Sequence, residues 1–95
     1  MNLKTHHDND KPVSANVLFK GEEGTVTSIR ILKDQQLKAH ITKVPALLVC
    51  VSGKAVFENE KGVKETLSPG DYTNIEPMVS HWVNGVEDSQ LLVMK

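Results

Sequence analysis

The side chains best suited to proton transfer or metal ligation near neutral pH are four histidines, His6, His7, His40 and His81, and one cysteine, Cys50. An imidazole with an ordinary pKa of about 6.5 can donate or accept a hydrogen bond, act as acid or base, or ligate a divalent ion. Other familiar chemistry is missing. No serine or cysteine nucleophile has an identifiable base, no glycine-rich loop is built to cradle phosphate, and no carboxylate pair has interpretable spacing. Cys50 sits in the apolar run Ala46 to Val51 and reads as a small buried apolar residue. His6 and His7 lie in a polar, aperiodic stretch from Met1 to about Lys11, with Asp8, Asn9 and Asp10 around them, and read as solvated residues of a tail. His40 and His81 are what remain.

The segments that must position them are short and β-rich. After Pro12 the sequence predicts strands at Asn16–Lys20, Thr25–Leu32, Gln36–Thr42, Ala46–Val51, Ala55–Asn59, Val63–Leu67, Tyr72–Ile75, Val79–Val83 and Gln90–Met94, each closed by turn residues. No window of helical length repeats its apolar residues at helical spacing. In Ser68-Pro69-Gly70-Asp71, proline fixes φ at the second turn position and glycine supplies the positive φ at the third, as a type II turn requires. Asn59-Glu60-Lys61-Gly62 has the polar, glycine-ended character of a hairpin loop. Ala46–Val51 lacks alternation and is expected to be covered on both faces, whereas Lys54–Glu58 alternates and has one wet face. Trp82 follows His81 and points to the other face of its strand, between sheets or into a subunit interface.

Composition sets the frame. With 95 residues there is room for one domain, a tail over 1–12 and a barrel over 13–95. A chain of this size buries only about 60 to 65% of its unfolded surface. Hydrophobic residues make up 39% and charged residues 24%, as in a soluble globular protein. Eleven basic against twelve acidic side chains, without like-charge runs, argue against nucleic acid as a partner. The longest apolar run is too short to span a bilayer. A single cysteine and the lack of an apolar leader lead us to expect a cytoplasmic protein.

From Leu37 to Lys95 the sequence resembles the cupin superfamily, whose two motifs run G-x5-H-x-H-x3,4-E-x6-G and G-x5-P-x-G-x2-H-x3-N. Gly53 matches the glycine that closes the first motif; counting back, Ala46 stands at the glutamate, Thr42 at the second histidine and His40 at the first. The second motif is matched by Gly70, by Pro77 one residue late, and by His81 four residues after Pro77, while Asn84 is out of step. The resemblance implies an all-β fold, a double-stranded β-helix or jelly-roll barrel of the RmlC-like kind. It also implies a ligand cavity in the barrel centre and a homodimer formed through the outer sheet. It implies a divalent ion, Fe, Mn, Ni or Zn, held by three histidines and a glutamate, of which this chain keeps His40 and His81.

A metal site needs about three protein ligands even where it is catalytic. Thr42 and Ala46 do not replace the missing ones, and Cys50 is about 13 Å along the strand from Ala46. Glu76 and Gln36 are near the right strands. Three functions stay open on these residues. One is a barrel that binds a small organic molecule through His40, Thr42, Leu48 and His81, the two histidines facing each other across the interior, with weak metal binding or none. Another is a metal-dependent enzyme of dioxygenase or isomerase type with His40 and His81 as ligands. The third is a structural or regulatory dimer with a filled barrel.

Overall fold

The computed structural model describes residues 1–7 and 10–95. Among these residues nine strands form: β1 (Val13–Lys20), β2 (Thr25–Ile31), β3 (Gln36–His40), β4 (Ala46–Ser52), β5 (Ala55–Asn59), β6 (Lys64–Leu67), β7 (Tyr72–Ile75), β8 (His81–Gly85) and β9 (Ser89–Met94). They make a five-stranded sheet ordered β1-β2-β9-β4-β7 and a four-stranded sheet ordered β3-β8-β5-β6, with antiparallel pairing throughout. Every connection except β1 to β2 and β5 to β6 passes from one sheet to the other, which winds the chain into a jelly-roll barrel. Among the described residues no helix is long and apolar enough to cross a membrane.

All nine expected strands are present, with ends displaced by a few residues. β1 begins at Val13 because Val13 already pairs with Ile31. β3 stops at His40 and β8 starts at His81, and these two residues are register partners. β4 differs from expectation: Ala46, Leu48 and Cys50 are buried, Leu47 and Val49 are half-buried, and Val51 is exposed. Its outer face is apolar yet only partly covered, so the missing alternation in sequence does not signal full burial.

Three glycines set the corners where the sequence reading placed turns. Gly70 has φ +95°, and Asp71 N–H closes the turn onto Ser68 O at 2.8 Å. At the β5–β6 hairpin Gly62 has φ +88°, while the Asn59 side-chain oxygen accepts from the backbone N–H groups of Lys61 and Val63. Gly53 has φ +80°, and a Cβ there would lie 2.1 Å from the Asp88 carbonyl oxygen. The β4–β5 and β8–β9 connections therefore touch through bare backbone, which only glycine permits.

The packed core lies at this end of the barrel, where Ile31, Cys50, Ala55, Phe57, Leu67 and Leu91 are almost fully buried. Burial pushes the Cys50 thiol up, reinforced by Asp71 and opposed by a backbone hydrogen bond at Ser52, so this cysteine is a packing residue.

The solvated reading of His7 is corrected. After a short 3-10 turn at Leu3–Thr5 the chain folds back over β1 and β2, and His7 is only 7% exposed. Its Nδ1 lies 2.6 Å from Ser14 Oγ and its Nε2 lies 2.7 Å from Ser28 Oγ. His6 is half-buried beside it, edge to face at 5.5 Å, and its carbonyl accepts from the Asn16 side chain. Arg30 donates to the Lys11 carbonyl at 2.9 Å. Hydrogen bonds to serine hydroxyls leave no periodic trace in sequence, which is why composition alone pointed to a tail. The part of that reading that falls on Asp8 and Asn9 lies outside the described residues.

Gly62 and Gly53 separate conformational from steric effects. Gly62→Ala, with open space around its Cβ, is expected to cost about 1 to 2 kcal/mol for the left-handed backbone alone. Gly53→Ala adds a collision with the Asp88 backbone and is expected to cost about 3 to 5 kcal/mol. Urea unfolding of both variants checks this, and equal losses would contradict the close approach of the two connections.

Candidate functional site

The other end of the barrel is not filled. A cavity of about 160 Å³ opens there, and His40, Thr42, Leu48 and His81 all line it. The remaining wall is mostly apolar, including Leu37, Ile75, Val83 and Val93, with Thr27 and Lys95 as further polar residues. The four residues expected to meet a ligand are thus brought together. A barrel filled throughout by Leu48, Cys50 and Val83 is not what is found: Leu48 and Val83 border open space, and Cys50 belongs to the packed end.

The two histidines do not face each other across the interior. They are lateral neighbours on paired strands of one sheet, because β3 and β8 run antiparallel with His40 opposite His81. Side chains directly opposite on neighbouring strands share a face, and the ring centroids are 4.3 Å apart with planes tilted by 58°. His81 is 2% exposed and His40 is exposed, so one ring is deep and the other stands at the mouth. Beneath His81 lies Phe57, its ring centroid 5.8 Å away.

Backbone carbonyls fix the proton on each ring. His40 Nδ1 lies 2.9 Å from Lys38 O, and His81 Nδ1 lies 3.3 Å from Val79 O. A carbonyl has no proton to offer, so each Nδ1 must be the donor, and in the neutral ring Nε2 is then an acceptor. Neither Nε2 has a hydrogen-bond partner among the described residues. Burial pushes His81 below the ordinary histidine range; the hydrogen bond to Val79 opposes this, while His40 and Lys95 add to it. His81 is therefore neutral at pH 7, with a free lone pair facing the cavity.

The loops that hold this arrangement are tied together. Met78 N–H donates to Thr42 O at 2.8 Å, and Glu60 N–H donates to Ser80 O at 2.9 Å, anchoring the approach to β8 from both sides. Met78 adopts φ 65° to make its bond. The Thr42 hydroxyl donates to Val44 O at 3.0 Å, so toward the cavity it too offers an acceptor.

These donors do not fit a tightly held divalent ion. Among the described residues no group of three or more His, Cys, Asp or Glu side chains gathers at one point. The two residues near the right strands are engaged elsewhere: Glu76 forms an exposed ion pair with Lys61 at 2.7 Å, and Gln36 donates to the Asn84 side chain at 2.8 Å. Trp82 lies on the outer face of the four-stranded sheet, not between sheets, with its indole N–H donating to Glu58 at 3.2 Å. Asn84 donates to the same carboxylate oxygen. Lys95 at the cavity was missed by sequence reasoning; its place beyond the end of β9 gave no motif to find it by.

Solved structures of low sequence identity share this architecture. A cupin superfamily protein from Desulfitobacterium hafniense superposes with a TM-score of 0.84 at 14% identity, over 98% of this chain and 84% of that one. An RmlC-like cupin from Shewanella frigidimarina gives 0.79 at 20% identity, over 92% and 78%. The fold is that of the cupins. KdgF from Halomonas sp. is also similar, with a TM-score of 0.79 at 19% identity over 93% of this chain and 82% of that one. No protein-family model and no curated relative matches the chain. The cupin fold accounts for the strand order of the two sheets.

Two buried imidazoles predict a stability that falls on acidification. His7 is lowered by burial first and then by His6 and Arg30, and His81 is lowered chiefly by burial. Where the native pKa lies below the unfolded value of about 6.5, the unfolded chain takes up protons first on acidification. Stability intact above about pH 6.5 is then lost below it, by at most about 1.4 kcal/mol per pH unit for each ring. Urea midpoints are expected to fall between about pH 7.5 and 5.5. His7→Gln, whose amide keeps a donor and an acceptor for Ser14 and Ser28, is expected to flatten that slope; an unchanged slope would show that His7 is not held neutral.

Proposed function

We propose that this cupin barrel binds a small organic molecule in its open half, held by His40, Thr42, Leu48 and His81, without a metal ion as intermediary. The observation that carries the reading is the pair of uncommitted Nε2 atoms on the wall of a mostly apolar cavity of about 160 Å³. A mostly apolar concavity with a few convergent polar groups is the usual form of a ligand site. An engineered cavity of about 150 Å³ admits benzene, so the occupant is about that size. The ligand set that would support a metal-dependent oxygenase or isomerase falls short by the side chains at Thr42 and Ala46.

Ala15 lines the cavity from the exposed side of edge strand β1, where a large side chain can fill space without displacing core. A fragment library followed by NMR is expected to give saturable shifts of the His81 ring protons. Ala15→Trp is expected to weaken those hits at least tenfold with little change in Tm. Titration calorimetry with Fe, Mn, Ni and Zn separates the metal-dependent alternative: micromolar or tighter binding that His81→Ala abolishes would overturn the metal-free reading.

A homodimer is the second element of the proposal. β1 ends the five-stranded sheet, and Val17, Leu18 and Phe19 on it are exposed, Phe19 by 64%. An apolar edge strand of this kind pairs readily with another chain unless it is covered, and an antiparallel copy of itself would bring the same residues together. Light scattering at micromolar concentration is expected to give twice the chain mass, and Phe19→Lys to give the monomer; a wild-type monomer would remove this element.

A further inference from the structure

The hydrogen-bonding sense of the cavity narrows what enters it. His40 and His81 each use their one N–H on a backbone carbonyl, and the Thr42 hydroxyl uses its proton on Val44 O. All three therefore present lone pairs inward. A carbonyl, ether or carboxylate oxygen placed against them would meet only acceptors, whereas a hydroxyl would find a ready partner. The charge pattern differs from this. No aspartate or glutamate lines the cavity, and its one lysine, Lys95, lies near enough to act electrostatically on the His81 ring. Its ammonium offers donors and a full positive charge, and its backbone is fixed by reciprocal bonds with Thr25, Lys95 N–H to Thr25 O at 3.0 Å and Thr25 N–H to Lys95 O at 2.6 Å. Between these poles the wall is aliphatic.

We infer that the cavity selects a short hydroxylated carboxylic acid, its hydroxyl donating to Nε2 of His81, the deeper of the two rings, and its carboxylate paired with Lys95. This rests on the cavity being a ligand site, and it makes Lys95 the residue that sets specificity. A cavity of about 160 Å³ suits an acid of roughly benzene's size. An acid without the hydroxyl leaves the His81 acceptor unpaired, and a diol without the carboxylate leaves Lys95 idle.

The test is an NMR titration near pH 7.5, following the His81 ring protons, with 3-hydroxybutyrate, butyrate and 1,3-butanediol as probes. The hydroxy acid is expected to bind about tenfold more tightly than butyrate, as the loss of one buried hydrogen bond predicts. Lys95→Gln is expected to weaken 3-hydroxybutyrate about tenfold while leaving 1,3-butanediol unchanged. Equal binding of butyrate and 3-hydroxybutyrate would overturn the role of the hydroxyl, and an indifferent Lys95→Gln would overturn the role of the charge. If the diol or an apolar fragment shifts His81 and the acids do not, this inference falls while the ligand-binding reading stands. If no probe of any kind shifts His81, both fall.

Discussion

The contact of His81 with Phe57 divides the barrel. Phe57 is the largest of the fully buried side chains, and it closes the packed half. His81 stands on it with one face against an aromatic ring and the other toward His40. An imidazole so placed loses water on most of its surface, and the cost of charge in that setting holds it neutral. Neutrality fixes a single N–H, the Val79 carbonyl takes it, and the remaining nitrogen becomes an acceptor facing open space. The character of the cavity follows from this one burial. A chain with so few aromatic residues fills one end of a barrel and leaves the other to aliphatic side chains too small to meet in the middle.

The strands were legible in sequence because their signals are local. Alternation in Lys54–Glu58, the proline and glycine of Ser68–Asp71 and the glycine at position 62 each act within a few residues. Gly53 was legible as a motif position, but its reason is not local: it is the Asp88 carbonyl, brought in by β8 and β9. The candidate site was legible as a set of residues and not as an arrangement. Motif spacing put His40 and His81 in the same interior, yet strand pairing sets them side by side, and no spacing within one strand reveals which strand lies next to it. Lys95 was invisible for a similar reason, since its nearness to His81 depends on β9 lying in the opposite sheet.

The N-terminal segment shows what sequence patterning does not encode. Its burial rests on polar pairing, His7 between Ser14 and Ser28, and a stretch of polar residues reads as solvated whether or not it docks. Ser28 and Arg30 read along β2 as the polar face of an edge-proximal strand, and they are buried only because this segment lies across them. The outer face of the five-stranded sheet is thus partly a second, polar interface, built with hydrogen bonds where the barrel interior uses aliphatic contact.

His7 and His81 make an instructive pair because burial lowers both and only one is placed to act. At His7 both ring nitrogens meet serine hydroxyls within 2.7 Å, so the ring has no bonding capacity left and a ligand has nothing to gain from it. At His81 one nitrogen is engaged and the other faces a cavity with no protein partner. A nitrogen that no protein group satisfies is left for water or a ligand to meet, and Nε2 of His81 is in that position while neither ring nitrogen of His7 is. The difference lies in hydrogen-bond satisfaction rather than residue type or depth, and it locates the working end of the barrel at His81.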